Sequence, residues 1–164
     1  MAFWYDLDMN GKHQPTLFML VGLPATGKTT RAKEIESEYS ALRFTPDEWI
    51  VFLYGENLDR PTRDAVRDPM ELLQWQPAKR ALEIGCNVVL DWGFWAKNQR
   101  EAYRKEAENL GAKVKIEFLD ASLDELWSRI STRPESSKGT LGITREELEQ
   151  WSKVIEPPTP EELT

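Results

Sequence analysis

Polar and apolar positions alternate along the chain between two kinds of pattern: short apolar runs, and longer stretches with apolar residues at helical spacing. Residues 16–21 (TLFMLV) are apolar almost without a break and are bounded by turn residues, the mark of a parallel strand buried on both faces. A helix is expected from residue 28 to about 39, with Ala32, Ile35 and Tyr39 on one face, and a short second strand at 42–45. Thr45, Pro46 and Glu48 then resemble a helix start, with Thr45 as cap, Pro46 in the first turn and Glu48 closing a capping box. Residues 55–68 are rich in Gly, Asn, Asp, Arg and Pro and read mostly as loop. A longer helix is expected from about 69 to 84, with Met70, Leu73, Ala81 and Ile84 at helical spacing, a kink at Pro77 and a stop at Gly85.

Residues 87–91 (NVVLD) predict a third strand ending in a carboxylate, and 97–110 a surface helix supported by a Glu101/Lys105 pair. Val114, Ile116 and Phe118 alternate with charge and predict a strand with one less buried face. Ser122 and Glu125 form a second capping box before a helix whose stripe is Leu123, Leu126, Trp127 and Ile130 and which Pro134 terminates. Residues 136–142 read as a flexible loop, Thr144 caps a last helix running to about 155, and PPTPEELT is a tail. The organisation expected is a lead-in over 1–15, one domain over 16–155 with a lid at about 129–145, and a tail over 156–164. Alternating strands and helices predict an α/β fold: a parallel sheet of about four strands with helices on both faces, and a ligand site at the carboxyl ends of the strands.

The loop after the first strand carries the first chemistry. Gly22-Leu23-Pro24-Ala25-Thr26-Gly27-Lys28-Thr29, followed by Thr30, fits G-x-x-x-x-G-K-[ST], and it lies between a predicted strand and a predicted helix. Glycines let a backbone wrap a phosphate so that successive N–H groups point inward, and the helix start adds its positive end. The motif assigns Lys28 to the β- and γ-phosphates of ATP and the Thr29 hydroxyl to Mg²⁺. No N-K-x-D occurs, which counts against a guanine-specific GTPase, and Trp92 stands after Asp91 where an ATP-driven motor usually carries a water-activating Glu. What remains is a small kinase.

The ordered set GLPATGKTT, RFTPDEW, NVVLDWGFWAKNQR and LWSRISTRP resembles a family of small P-loop kinases that includes the 5′-kinase domain of polynucleotide kinase, chloramphenicol phosphotransferase and the zeta toxins. The resemblance covers about residues 16–155. It implies a three-layer P-loop fold with strand order 2-3-1-4, an acceptor-site Asp after the second strand, matched by Asp47, and an arginine-bearing lid, matched by Arg129 and Arg133. Asp47 would orient the attacking hydroxyl, since phosphoryl transfer depends mainly on positioning and charge stabilisation. An Asp in a first helical turn also simply complements the helix dipole. Asp91 stands at a strand end where a carboxylate that organises magnesium is expected, and a second-layer contact or helix cap is the alternative. Trp92, Phe94 and Trp95 offer either a substrate wall or core packing; Trp49 and Trp75 are expected in the core.

Charge and composition narrow the acceptor. The net charge is −7, against binding long nucleic acids, although Arg129, Arg133, Lys138 and Arg145 outnumber Glu135 locally. Polynucleotide kinase has a substrate-phosphate Arg three residues after the acceptor-site Asp; here that position is Ile50. The expected acceptor is therefore a small hydroxylated molecule. A 5′-hydroxyl polynucleotide kinase and a non-catalytic ATP-sensing module are the alternatives. His13, the one histidine, lies in the lead-in, which counts against a His-based triad, and a single cysteine, Cys86, excludes an intrachain disulfide. With no basic-then-apolar leader and no apolar run long enough to span a bilayer, a cytoplasmic protein without membrane attachment is expected.

Overall fold

The computed structural model describes residues 14–132 and 143–163. Arg133, Lys138, most of the expected lid loop and most of the lead-in, His13 included, lie outside the described residues. Four strands, β1 (Thr16–Val21), β2 (Leu42–Phe44), β3 (Val88–Gly93) and β4 (Lys113–Phe118), form one parallel sheet in the order β2-β3-β1-β4. That is the expected 2-3-1-4 topology. Between and after the strands come α1 (Lys28–Tyr39), α2 (Pro46–Tyr54), α3 (Arg60–Glu83), α4 (Lys97–Asn109), α5 (Leu123–Ser131) and α6 (Arg145–Val154).

The apolar run of β1 serves two cores. Leu17, Met19 and Val21 face Trp75, Ala78, Leu82 and Trp92, whereas Phe18 and Leu20 face Ala32 and Ile35 of α1. Alternation across the strand thus explains why nearly every residue is apolar. A third cluster joins Leu23 of the loop after β1 to Leu126, Ile130, Ile143 and Leu148, so α5 and α6 pack beside that loop. The capping boxes at Ser122/Glu125 and Thr144/Glu147 are both formed.

Four expectations fail. The stretch 55–68 is not mostly loop: α3 begins at Arg60, where Asp59 accepts the Thr62 N–H at 3.0 Å and Pro61 occupies the first turn. The helix runs on through Pro69 and Pro77 because its inner stripe packs on β2, β3 and α2. That stripe is Arg63, Met70, Glu71, Gln74, Trp75, Ala78 and Ala81; Leu73 and Ile84 are exposed. The capping box at Thr45/Glu48 does not form, because Arg43 donates to both the Thr45 hydroxyl at 2.6 Å and Glu48 at 2.8 Å. Trp49 lies at the surface, although it still reaches the Phe44 ring. Asp91 is not the end of its strand, since β3 continues to Gly93.

Residues after α6 pack back onto the body. Arg100 is fully buried and donates to Glu162 at 2.7 and 3.1 Å, and to the carbonyls of Phe94, Trp95 and Glu156. This one guanidinium ties the tail to the segment that leaves β3.

Candidate active site

The loop between β1 and α1 is shaped by two glycines for different reasons. A Cβ on Gly22 would lie 2.5 Å from the Leu119 carbonyl oxygen, so only glycine allows β1 to turn there against β4. Gly27 has φ 99°, in the left-handed region, and directly precedes α1. The chain around them is fixed from three sides. Thr26 and Lys28 both donate to the Leu23 carbonyl, at 2.9 and 2.8 Å. The Trp95 indole donates to the Gly22 carbonyl at 3.1 Å, and Arg129 of α5 donates to the Ala25 carbonyl at 3.1 Å. The Gly22, Leu23 and Ala25 carbonyls are thereby engaged, and the start of α1 follows the loop, an arrangement that favours an anion.

Thr29 and Asp91 meet. The Thr29 hydroxyl donates to the Asp91 carboxylate at 2.7 Å. Burial pushes the Asp91 carboxyl above its ordinary range; the Thr29 hydrogen bond and the Lys28 charge act the other way, and Asp47 adds to the rise. A buried carboxylate beside a hydroxyl is a hard oxygen pair that a divalent cation would stabilise. Among the described residues there is no cluster of three or more His, Cys, Asp or Glu that could hold a metal. Magnesium suits such a site, since it is commonly held by one or two protein oxygens, phosphates and water. The residues present therefore fit the ion.

Asp47, in the first turn of α2, lies on the same rim, and its charge is felt at Asp91. Its carboxylate accepts from Arg67 at 2.8 Å, and Arg67 also donates to the Trp92 carbonyl at 3.1 Å and pairs with Glu71 at 3.3 Å. Burial pushes the Glu71 carboxyl up to about 7, with Arg67 opposing the rise. Arg67 and Glu71 escaped the sequence reading because their segment looked like loop or an outward helix face. The signal was present: Asp59 and Thr62 mark a helix start, and positions 63, 67, 71 and 74 repeat at helical spacing. Trp92 and Phe94 stack on each other inside the core and meet Tyr103 edge-on, so both are packing residues, while Trp95 braces the loop at Gly22. Ile50 is fully buried and cannot face an acceptor.

The AAA domain family matches residues 17–158. The chain belongs to that family. No curated protein matches it. Among solved structures, a protein of Chloroflexus aurantiacus J-10-fl described as a candidate kinase aligns at 22% identity over 90% of this chain and 83% of its own, with TM-score 0.74. A chain of the Pnkp1/Rnl/Hen1 RNA repair complex aligns at 20% identity and TM-score 0.68 over 89% of this chain; the alignment spans 46% of that longer chain. Kti12 of Chaetomium thermophilum, solved with ADP-AlF3, aligns at 20% identity and TM-score 0.64 over 88% of this chain and 82% of its own. These likenesses show that the chain shares its fold, a parallel sheet of order β2-β3-β1-β4 flanked by helices, with those proteins. Among the described residues, no helix is long and apolar enough to cross a membrane.

Proposed function

We propose that the protein is a magnesium-dependent kinase that transfers the γ-phosphate of ATP to a hydroxyl of a small molecule. The supporting observation is the division of one rim into two carboxylate environments. Asp91 is buried and bonded to Thr29 of the phosphate loop, whereas Asp47 keeps 40% of its side chain exposed and is held by Arg67. A closed carboxylate suits a cation, and an open, oriented one suits an attacking hydroxyl.

In this reading Gly22, Leu23, Pro24, Ala25, Thr26, Gly27, Lys28, Thr29 and Thr30 cradle the phosphates. Thr29 and Asp91 would hold Mg²⁺, which would supply charge neutralisation to the phosphates. Lys28 leaves the Leu23 carbonyl for the phosphates, and Arg129, already on the loop at Ala25, offers a charge-assisted hydrogen bond to the transferring group. Arg133 takes the corresponding lid role proposed from the sequence. Asp47 accepts a hydrogen bond from the acceptor hydroxyl and fixes its direction of attack. The net charge and the buried Ile50 support a small acceptor over a nucleic-acid end.

The test is a screen of hydroxyl compounds with γ-labelled ATP, followed by Asp47→Asn on the acceptor found. Transfer should fall by on the order of 10²-fold or more with ATP affinity kept, because the loss is at the transition state. Unchanged turnover would make Asp47 a helix-dipole residue and remove it from the chemistry.

A further inference from the structure

On α3 and β3 the core contains buried polar atoms that pair with nothing. Arg63 Nη1 and Nη2, both polar atoms of the Gln74 amide, and Trp92 Nε1 are closed to solvent and lack any hydrogen-bond partner. Arg63 is 3% exposed and Gln74 fully buried. A buried charge without a partner costs several kcal/mol or more, so folded proteins normally pair such groups or use them on a ligand. Glu71 and Asp47 both pair with Arg67, the next arginine along the helix face.

Helical geometry locates the orphans. Residues 63, 67, 71 and 74 of α3 follow one another at spacings of four, four and three, and so share a face. Arg67, one turn from Arg63, reaches Asp47 and the Trp92 carbonyl. The stripe therefore looks onto the carboxyl end of β3, next to the carboxylate assigned to the acceptor. Arg67 and Asp47 at its mouth keep 32% and 40% of their side chains exposed, whereas Arg63 and Gln74 lie behind the surface.

We propose that Arg63, together with Arg67, receives a negatively charged group of the phosphate acceptor, a carboxylate or a phosphate, while the Gln74 amide bonds its neutral oxygens. This rests on the kinase reading and narrows its substrate to small hydroxylated anions. A planar guanidinium is suited to two parallel bonds with either anion. Because both terminal nitrogens of Arg63 are shut off in the ligand-free protein, the seat opens as the acceptor enters past Asp47.

The test uses protein saturated with Mg²⁺ and a nonhydrolysable ATP analogue, so that the phosphate loop is filled. Inorganic phosphate is titrated in one arm and malonate in the other, followed by calorimetry; the tighter arm identifies the anion. Wild type should bind one of them saturably, and Arg63→Met should weaken it at least about tenfold, the loss of a charge-assisted bond, with analogue affinity unchanged. Arg63→Met should also keep or raise Tm, because it removes an unpaired buried charge. If Arg63→Met does not fold, Arg63→Lys replaces it and should weaken binding by losing the fork. Equal anion affinity in wild type and variant overturns the proposal, as does the absence of saturable binding in both arms. In those cases the analogue still binds and the kinase reading stands. Failure of the analogue itself to bind wild type is the separate result that removes the kinase reading and this proposal with it.

Discussion

Replacing Glu71 by glutamine should change how stability depends on pH, by an amount that follows from the site. Burial raises the Glu71 carboxyl from 4.5 to about 7 in the folded protein. Between those values the folded state binds a proton that the unfolded state has lost. Stability contributed by this group is therefore fully present below pH 4.5, declines as pH rises, and is gone above pH 7. At about 1.36 kcal/mol per unit, the decline is on the order of 3 kcal/mol. The Glu71→Gln variant has no such titration, so the difference between variant and wild type should move in favour of the variant by that amount across the window and stay flat above it. The Arg67 pairing already opposes the rise within that value, so its loss adds only a pH-independent offset to the comparison. Urea unfolding at half-unit steps from about pH 4.5 to 8 reads the effect as a relative midpoint change of about 1.5 M, for an m-value near 2 kcal/mol/M. Parallel profiles for the two proteins would show that Glu71 ionises as freely folded as unfolded, and would refute the reasoning about its burial.

Glu162→Ala should lower stability by about 3–5 kcal/mol in chemical unfolding, because it leaves the fully buried Arg100 short of its carboxylate; a change below about 0.5 kcal/mol would show that the tail is not anchored there. Arg129→Ala should reduce turnover on an identified acceptor by on the order of 10²-fold while ATP affinity changes little, since the contact is aimed at developing charge. Equal turnover in a single-turnover assay would leave Arg129 as a brace on the Ala25 carbonyl alone.

What the sequence shows best is whatever depends on neighbours along the chain. β1 and β3 are visible because strands buried on both faces must be apolar throughout, and the helix starts at Ser122 and Thr144 because a capping box is complete within four residues. The phosphate loop is visible because its backbone demands particular glycines. The same local logic fails at Thr45/Glu48, where Arg43, approaching from β2, captures both members of an apparent capping box. It also fails at α3. The polar composition of 55–68 argues for loop, yet packing against the sheet extends the helix back to Arg60, and the polar residues Arg63, Glu71 and Gln74 lie on its inner face. Half of the proposed acceptor side was hidden with it: Asp47 could be named through the resemblance, but Arg67 reaches it across 20 residues of sequence. Arg100 and Glu162 are farther apart still, at 62 residues, and nothing local links them.

The central claim, that this rim binds Mg·ATP through the loop from Gly22 to Thr30, is tested most directly by titrating Mg·ATP into wild type and Lys28→Ala in a calorimeter. Wild type should bind one nucleotide per chain, and the variant should bind at least about tenfold more weakly, having lost a charge-assisted contact to the phosphates. Equal affinities, or no binding by a folded wild type, would contradict the account.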